Sequence, residues 1–209
     1  MEMIVSIGFI LGALLTGAVS PGPSFVLIAR LSMGNSRNDG VAASIGMGVG
    51  GVIFSLLALF GLHIVLTNVP TLYFTLKIIG GFYLIYLAIL IWRGANEPLT
   101  VNSENEIGQS TLKKSFIIGL ITQISNPKTA IVYGSIFAAL LPENIPNTFY
   151  FILPPLVFLV EASWYIVVSL ILSSSSPRAA YLRSKSLFDR VAGCVMAGLG
   201  VKLVSSAGN

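Results

Sequence analysis

Between Asp39 and Lys77 the chain carries no aspartate, glutamate, lysine or arginine. A helix that is apolar all round for that length must be buried or surrounded by lipid. A membrane-crossing helix needs about 20 mostly apolar residues. Runs of this kind recur along the chain, at roughly 3–30, 40–66, 71–92, 115–141, 147–172 and 187–205. Only 10% of the 209 residues are charged, against about 25% in soluble domains. So few charges cannot coat a water-facing surface. The sequence predicts an all-α integral membrane protein, a single transmembrane domain over 1–209, with no soluble module.

The first run is too long for a simple span. It is interrupted by "SPGPS", Ser20 to Ser24, where a membrane helix would be expected to carry leucine. The start does not read as a cleaved signal peptide, because such peptides open with positive charge. Here the only charge before Arg30 is Glu2.

Orientation follows from lysine and arginine in the short loops. Arg30 and Arg37 follow the first span. Arg93, Lys113 and Lys114 follow the third, and Arg178, Arg183, Lys185 and Arg190 flank the fifth-to-sixth connection. The loops after the second and fourth spans hold none. The odd loops are therefore expected in the cytoplasm and both termini outside, as in a multi-pass protein of a bacterial inner membrane. The net charge of +4 is explained by these flanks. No basic face with interleaved aromatics points to nucleic acid. The polar stretch Glu97–Gln109 reads as a flexible part of a cytoplasmic loop over 94–114.

Cys194 is the only cysteine, so an intramolecular disulfide and a two-thiol relay are both impossible. It reads as a small packing residue. No His, Glu and Cys cluster suggests a metal, and no cofactor motif is present. His63, the only histidine, reads as an interfacial polar group. With His63 far in depth from the other ionisable groups, no catalytic constellation forms, and an enzyme is not expected.

The informative residues are polar ones in apolar surroundings. In "TQISNPKTA", Pro127 removes a backbone donor and crowds the carbonyl of Gln123 one turn back. Lipid cannot satisfy backbone groups freed in this way, so the break should face protein or a water-filled cavity. Lys128 follows immediately, at a depth where a charge costs at least about 2.5–3.5 kcal/mol. Glu161 stands in the middle of the fifth span, in "LVEASWY". A Lys128–Glu161 pair would relieve both charges, either as a packing bridge or as part of a transport site. Asp39 is expected to cap the second span, and Lys77 to snorkel to the interface. Gly46 and Gly50 form a small-xxx-small pair, suited to close packing within one subunit or between subunits of a homo-oligomer.

The two breaks, "SPGPS" and "SNPKT", each fall in the first helix of a three-helix half. Similar leads precede them, "FILG" at Phe9–Gly12 and "FIIG" at Phe116–Gly119. Three helices per half would make the halves enter the membrane from opposite sides, as inverted repeats over 1–93 and 115–206. Broken helices in such repeats meet near mid-membrane, where transporters hold their substrates. Half-helix N-termini offer free N–H groups to a carboxylate. Unwound carbonyls and Glu161 can hold an ammonium. An amino acid carries both groups.

At these residues the chain resembles the LysE/RhtB amino-acid exporters over nearly its whole length. The "PGP" at Pro21, Gly22 and Pro23 is similar to the family's first-helix motif, and "NPK" at Asn126, Pro127 and Lys128 to its fourth-helix motif. Gly34, Arg37, Gly40, Gly46 and Gly50 follow its glycine spacing. "LKIIGGFYLIYLAI" resembles its third-helix signature, and Arg190, Gly193 and Gly200 its ending. The resemblance implies a six-helix inner-membrane exporter of small amino acids or their derivatives, driven by the proton gradient. Glu161 lies outside the motifs carried over, and its role rests on the physical argument alone. As proton carrier and as Lys128 partner it would face opposite demands. Another small solute, a metal cation, or a non-transporting membrane scaffold remain as alternatives.

Overall fold

The computed structural model describes residues 2–20, 22–68, 70–96, 111–142 and 145–208. Pro21, the stretch Glu97–Gln109 and the side chain of His63 lie outside the described residues. Among the described residues the chain forms helices and no strand. In order these are α1 (Glu2–Val19), α2 (Pro23–Arg30) with a π-helical turn (Leu31–Asn35), and α3 (Arg37–Asn68). Then come α4 (Pro70–Gly94), α5 (Leu112–Ile124), α6 (Pro127–Leu140), α7 (Asn147–Leu172) and α8 (Ser175–Ser205).

Three helices are long and apolar enough to cross a membrane: Arg37–Leu62, Thr71–Gly94 and Asn147–Leu172. The pair Met3–Val19 and Pro23–Asn35 makes a fourth if it counts as one broken span, bent by 60°. The expected fourth span is cut into α5 and α6, of 13 and 14 residues, each too short to cross alone. The expected sixth span is the C-terminal part of α8, which carries Asp189, Arg190 and Lys202. An integral membrane protein is what these elements make.

Proline accounts for both breaks. Pro23 and Pro127 each sit at the first turn of a helix, where the missing N–H costs nothing. Upstream, the carbonyl that Pro127 would have orphaned is taken by the Asn126 N–H, 3.3 Å from the Gln123 oxygen. The side chain of Asn126 then caps α6 by accepting from the Lys128 N–H at 3.0 Å. Thus protein groups take up the Gln123 carbonyl and the Lys128 N–H at the second break, where lipid could not.

Asp39 is not the cap of α3. Ser36 holds that place, in extended conformation, and its hydroxyl accepts the Asp39 N–H at 3.1 Å. The Ser36 hydroxyl in turn donates to the Asp39 carboxylate at 2.6 Å, while the Ser36 N–H goes back to the Leu31 carbonyl. The buried Asp39 carboxylate also accepts from Ser115 of α5 at 2.6 Å, so it ties two helices together. Lys77 does more than snorkel. Its ammonium donates to the Ser206 carbonyl at the end of α8, at 3.0 Å, and lies 4.6 Å over the Tyr73 ring.

Helix association in lipid cannot draw on the hydrophobic effect, and close packing takes its place. α3 lies mainly against α5 and α7, and α4 against α8. Gly46 faces the backbone of Phe116 and Leu120, and Gly119 faces the backbone of Ala43, so α3 and α5 touch main chain to main chain. A Cβ at Gly50 would run into the Gln123 side chain at 2.7 Å. The small-xxx-small pair therefore serves packing inside the chain.

The apolar core is in two parts. One gathers Ile10, Leu14, Val132, Tyr133, Phe137 and Met196 among others, and the second gathers Ala18, Phe25, Met47, Tyr165, Leu172 and Tyr181. Polar side chains from the two broken segments and α7 lie between them.

Candidate functional site

The two breaks meet. The Ser24 hydroxyl, in the first turn of α2, donates to Oε1 of Gln123 at 2.8 Å. Asn126 Nδ2 donates to the same hydroxyl at 3.1 Å. Lys128 crosses the other way, donating from Nζ to the Ser20 carbonyl at 3.2 Å, beyond the end of α1. The helix dipole favours a cation at such a C-terminal end. A Cβ on Gly22 would meet the Lys128 ammonium at 3.3 Å, so the glycine leaves the lysine its path.

Glu161 enters from α7 and is 3% exposed. It accepts from Tyr133 at 3.0 Å on one oxygen and from Gln123 Nε2 at 3.3 Å on the other. One continuous chain of hydrogen bonds therefore runs from Asn126 through Ser24 and Gln123 to Glu161, and ends at Tyr133. Satisfaction at every link matters, because a buried polar group without a partner costs about 1–3 kcal/mol. Beside the chain, the Trp164 indole donates to the Ala18 carbonyl at 3.1 Å, which occupies another terminal carbonyl of α1.

Of the residues singled out from sequence, Gly22, Asn126, Lys128 and Glu161 line one cavity. Pro23 and Pro127 open the helices that shape it. Lys128 and Glu161 face the same space without a direct ion pair; among the described residues the ion pair formed is Lys185–Asp189. The lysine is held by a backbone carbonyl and the glutamate by two neutral donors, so neither is committed to the other.

Sequence reasoning missed Ser24, the side chain of Gln123, Tyr133 and Tyr165, all of them buried around the cavity. A signal was present. Tyr165 is one helical turn past Glu161, hence on the same face of α7, and Ser24 and Gln123 flank the two breaks.

The cavity holds about 20 Å³, room for about one water molecule and not for an amino acid. It is lined by Leu14 and Val132 from one core and by Ala18 and Phe25 from the other. A lysine and a glutamate side chain line this pocket beside the first turns of α2 and α6, so it offers a partner to an ammonium and a partner to a carboxylate. The two side chains supply no nucleophile–base pair.

Broken helices that meet around buried polar groups, in a chain of membrane-crossing helices, are the arrangement membrane transporters use for their substrates. Residues 15–207 match the family model of the LysE type translocators, and the chain belongs to that family. It is similar to the threonine efflux protein of Escherichia coli (strain K12), with 28% identity over 191 residues, covering 90% of this chain and 92% of that protein. The threonine efflux protein of Salmonella typhi is 29% identical over the same shares. An uncharacterized membrane protein of Haemophilus influenzae is 31% identical over 193 residues, covering 91% of each. No solved structure matches the chain. The family and the relatives make this protein a transporter and not an enzyme.

Proposed function

We propose that this protein exports small amino acids or their derivatives from the cytoplasm. The observation that carries the reading is the joining of the two breaks around Lys128 and Glu161, two opposite charges lining one cavity without pairing. The substrate carboxylate is received by Lys128 and by the N-termini of α2 and α6. The substrate ammonium is received by Glu161 and the unwound carbonyls near Ser20. The names of the threonine efflux relatives support an amino acid as cargo.

The export cycle in this reading is alternating access by two inverted three-helix repeats. The first comprises α1–α2, α3 and α4, and the second α5–α6, α7 and α8, each broken unit counting as one of six spans. The two apolar cores on either side of the cavity act as its gates. Both termini lie outside, the membrane is the bacterial inner membrane, and the proton gradient supplies the drive.

Efflux from cells loaded with a panel of amino acids tests the reading, with wild type and Lys128→Ala matched for membrane expression. One solute leaving faster with wild type, and not with the variant, is the expected result. If the folded wild type moves no amino acid in cells or in liposomes, the proposal is wrong, and cations are the next solutes to try.

A further inference from the structure

A second cavity lies beside the first and shares a wall residue with it. It is a cleft of about 540 Å³ between α3 and α4, backed by α6. Tyr133 lines both spaces, with its hydroxyl on Glu161 at 3.0 Å and its ring 5.6 Å from that of Phe54, which also lines the cleft. Glu161 stands near the middle of α7, a membrane-crossing helix, so the cleft reaches the hydrocarbon depth of the bilayer. Among the described residues no charged side chain lines it. Lys77 follows Leu76 of its wall, but the Lys77 ammonium goes to the Ser206 carbonyl at 3.0 Å. Leu57 of α3 and Ile79 of α4 also line the cleft and are 62% and 60% exposed, so it opens sideways, toward lipid.

Close packing holds helices together in lipid, and here the sequence does not supply it. Gly61 of α3 and Gly134 of α6 both line the cleft, and nothing lies within 4 Å of a Cβ built at either. Gly46 and Gly119, by contrast, each meet the backbone of a neighbouring helix. Glycine in a helix is about 0.8–1 kcal/mol less favourable than alanine, and at Gly61 and Gly134 no helix contact offsets that. An empty cleft would leave its walls without contacts, and water does not fill an apolar cavity of this kind. The volume falls within the range of about 300–1,000 Å³ found for small-molecule sites. At this depth the apolar filler to hand is a lipid acyl chain. An amino acid suits the cleft less well, because its carboxylate and ammonium would find no charged partner there.

We propose that the cleft is a binding site for one acyl chain of a membrane lipid, which enters past Leu57 and Ile79 and packs against Gly61, Gly134 and the Tyr133 ring. The tail alone is recognised, and the headgroup stays at the membrane surface. Bound there, the tail touches the residue that donates to Glu161. The site goes beyond the export reading and does not rest on it.

A phospholipid carrying a photoreactive diazirine midway along one acyl chain tests this, with the full chain in liposomes and the label mapped by mass spectrometry. Wild type should take several-fold more label over 54–62, 76–83 and 130–135 than around Phe151 and Leu187, which are 79% and 65% exposed and lie outside the cleft. Gly61→Leu and Gly134→Leu each put a side chain into the cleft and should bring its label down to the level at Phe151. Cleft label in wild type no higher than at Phe151 overturns the proposal, whether boundary lipid or a second copy of this chain covers that face. Undiminished cleft label in folded Gly61→Leu and Gly134→Leu overturns it as well. Should neither variant fold, the wild-type ratio decides alone. Loss of the label on adding an amino acid that the protein transports would give the cleft to the substrate, and overturns the proposal too. The label is read without transport, so a failure of the export reading leaves this test standing.

Discussion

Ser24 and Gln123 lie 99 residues apart in sequence and 2.8 Å apart in the fold, hydroxyl to side-chain carbonyl. Gln123 also donates to Glu161, so its amide joins the first break, the second break and α7. Replacing it with leucine keeps the bulk and leaves Ser24 and Glu161 each short of a partner. A loss of about 1–3 kcal/mol per stranded group is expected, or about 2–4 °C of melting temperature per kcal/mol at this chain length. Melting of Gln123→Leu in detergent at the wild-type temperature would show that the amide is not the joint described here.

Much of this arrangement is legible in the sequence. The positions of the apolar stretches and of both breaks follow from hydropathy and from proline's missing N–H, properties local to a few residues. Lys128 and Glu161 stand out because a charge in lipid is conspicuous alone. The neutral members of the network are not conspicuous: Ser24 and Tyr133 are ordinary in a membrane helix until their partners are known. The expected Lys128–Glu161 bridge shows the same limit. Charge predicts attraction, but the geometry of the breaks offers Lys128 the Ser20 carbonyl, and offers Glu161 the Tyr133 and Gln123 donors. Asp39 was readable as a residue of a helix start, while the choice of Ser36 as cap depends on where the preceding π-helical turn ends.

Tyr133→Phe separates the hydroxyl from the ring. The ring stacks on Phe137 with centroids 6.0 Å apart and tilts against Phe54 at 5.6 Å. Both contacts survive the change; only the donor to Glu161 is lost. A hydrogen bond contributes about 0.5–1.5 kcal/mol, whereas removing the whole aromatic side chain costs about 3–5 kcal/mol. Tyr133→Phe should therefore fold well and transport poorly, and Tyr133→Ala should do neither. Initial rates beside melting curves for the two proteins check this; equal rates for Tyr133→Phe and wild type would remove Tyr133 from the site.

At Gly46 the prediction concerns assembly of the fold. A methyl group there would overlap the Phe116 carbonyl, a backbone group that cannot turn aside. Gly46→Ala is expected to separate α3 from α5 and to lower the folded yield seen by gel filtration in detergent. Gly8→Ala is the matched comparison, because nothing lies within 4 Å of a Cβ built there. Helix propensity alone favours alanine over glycine by about 0.8–1 kcal/mol, so Gly8→Ala should melt at or slightly above wild type. Equal melting of the two variants would mean that α3 and α5 are not in backbone contact.

Lys77 offers a change expected to spare transport. It lies on α4, away from the cavity, and its ammonium holds the Ser206 carbonyl where α8 ends. Lys77→Met keeps the aliphatic stem against Tyr73 and removes the charge. The lost hydrogen bond contributes about 0.5–1.5 kcal/mol, and the cation over the ring about 0.5–1 kcal/mol more. The α8 end should fray, because its last carbonyls lose a donor that lipid does not replace. Hydrogen exchange is expected to quicken over 203–208 while initial transport rates stay at the wild-type level. Faster exchange together with impaired transport would mean that the end of α8 takes part in the cycle, and would extend the working part of the molecule from the two breaks to the far end of the second half.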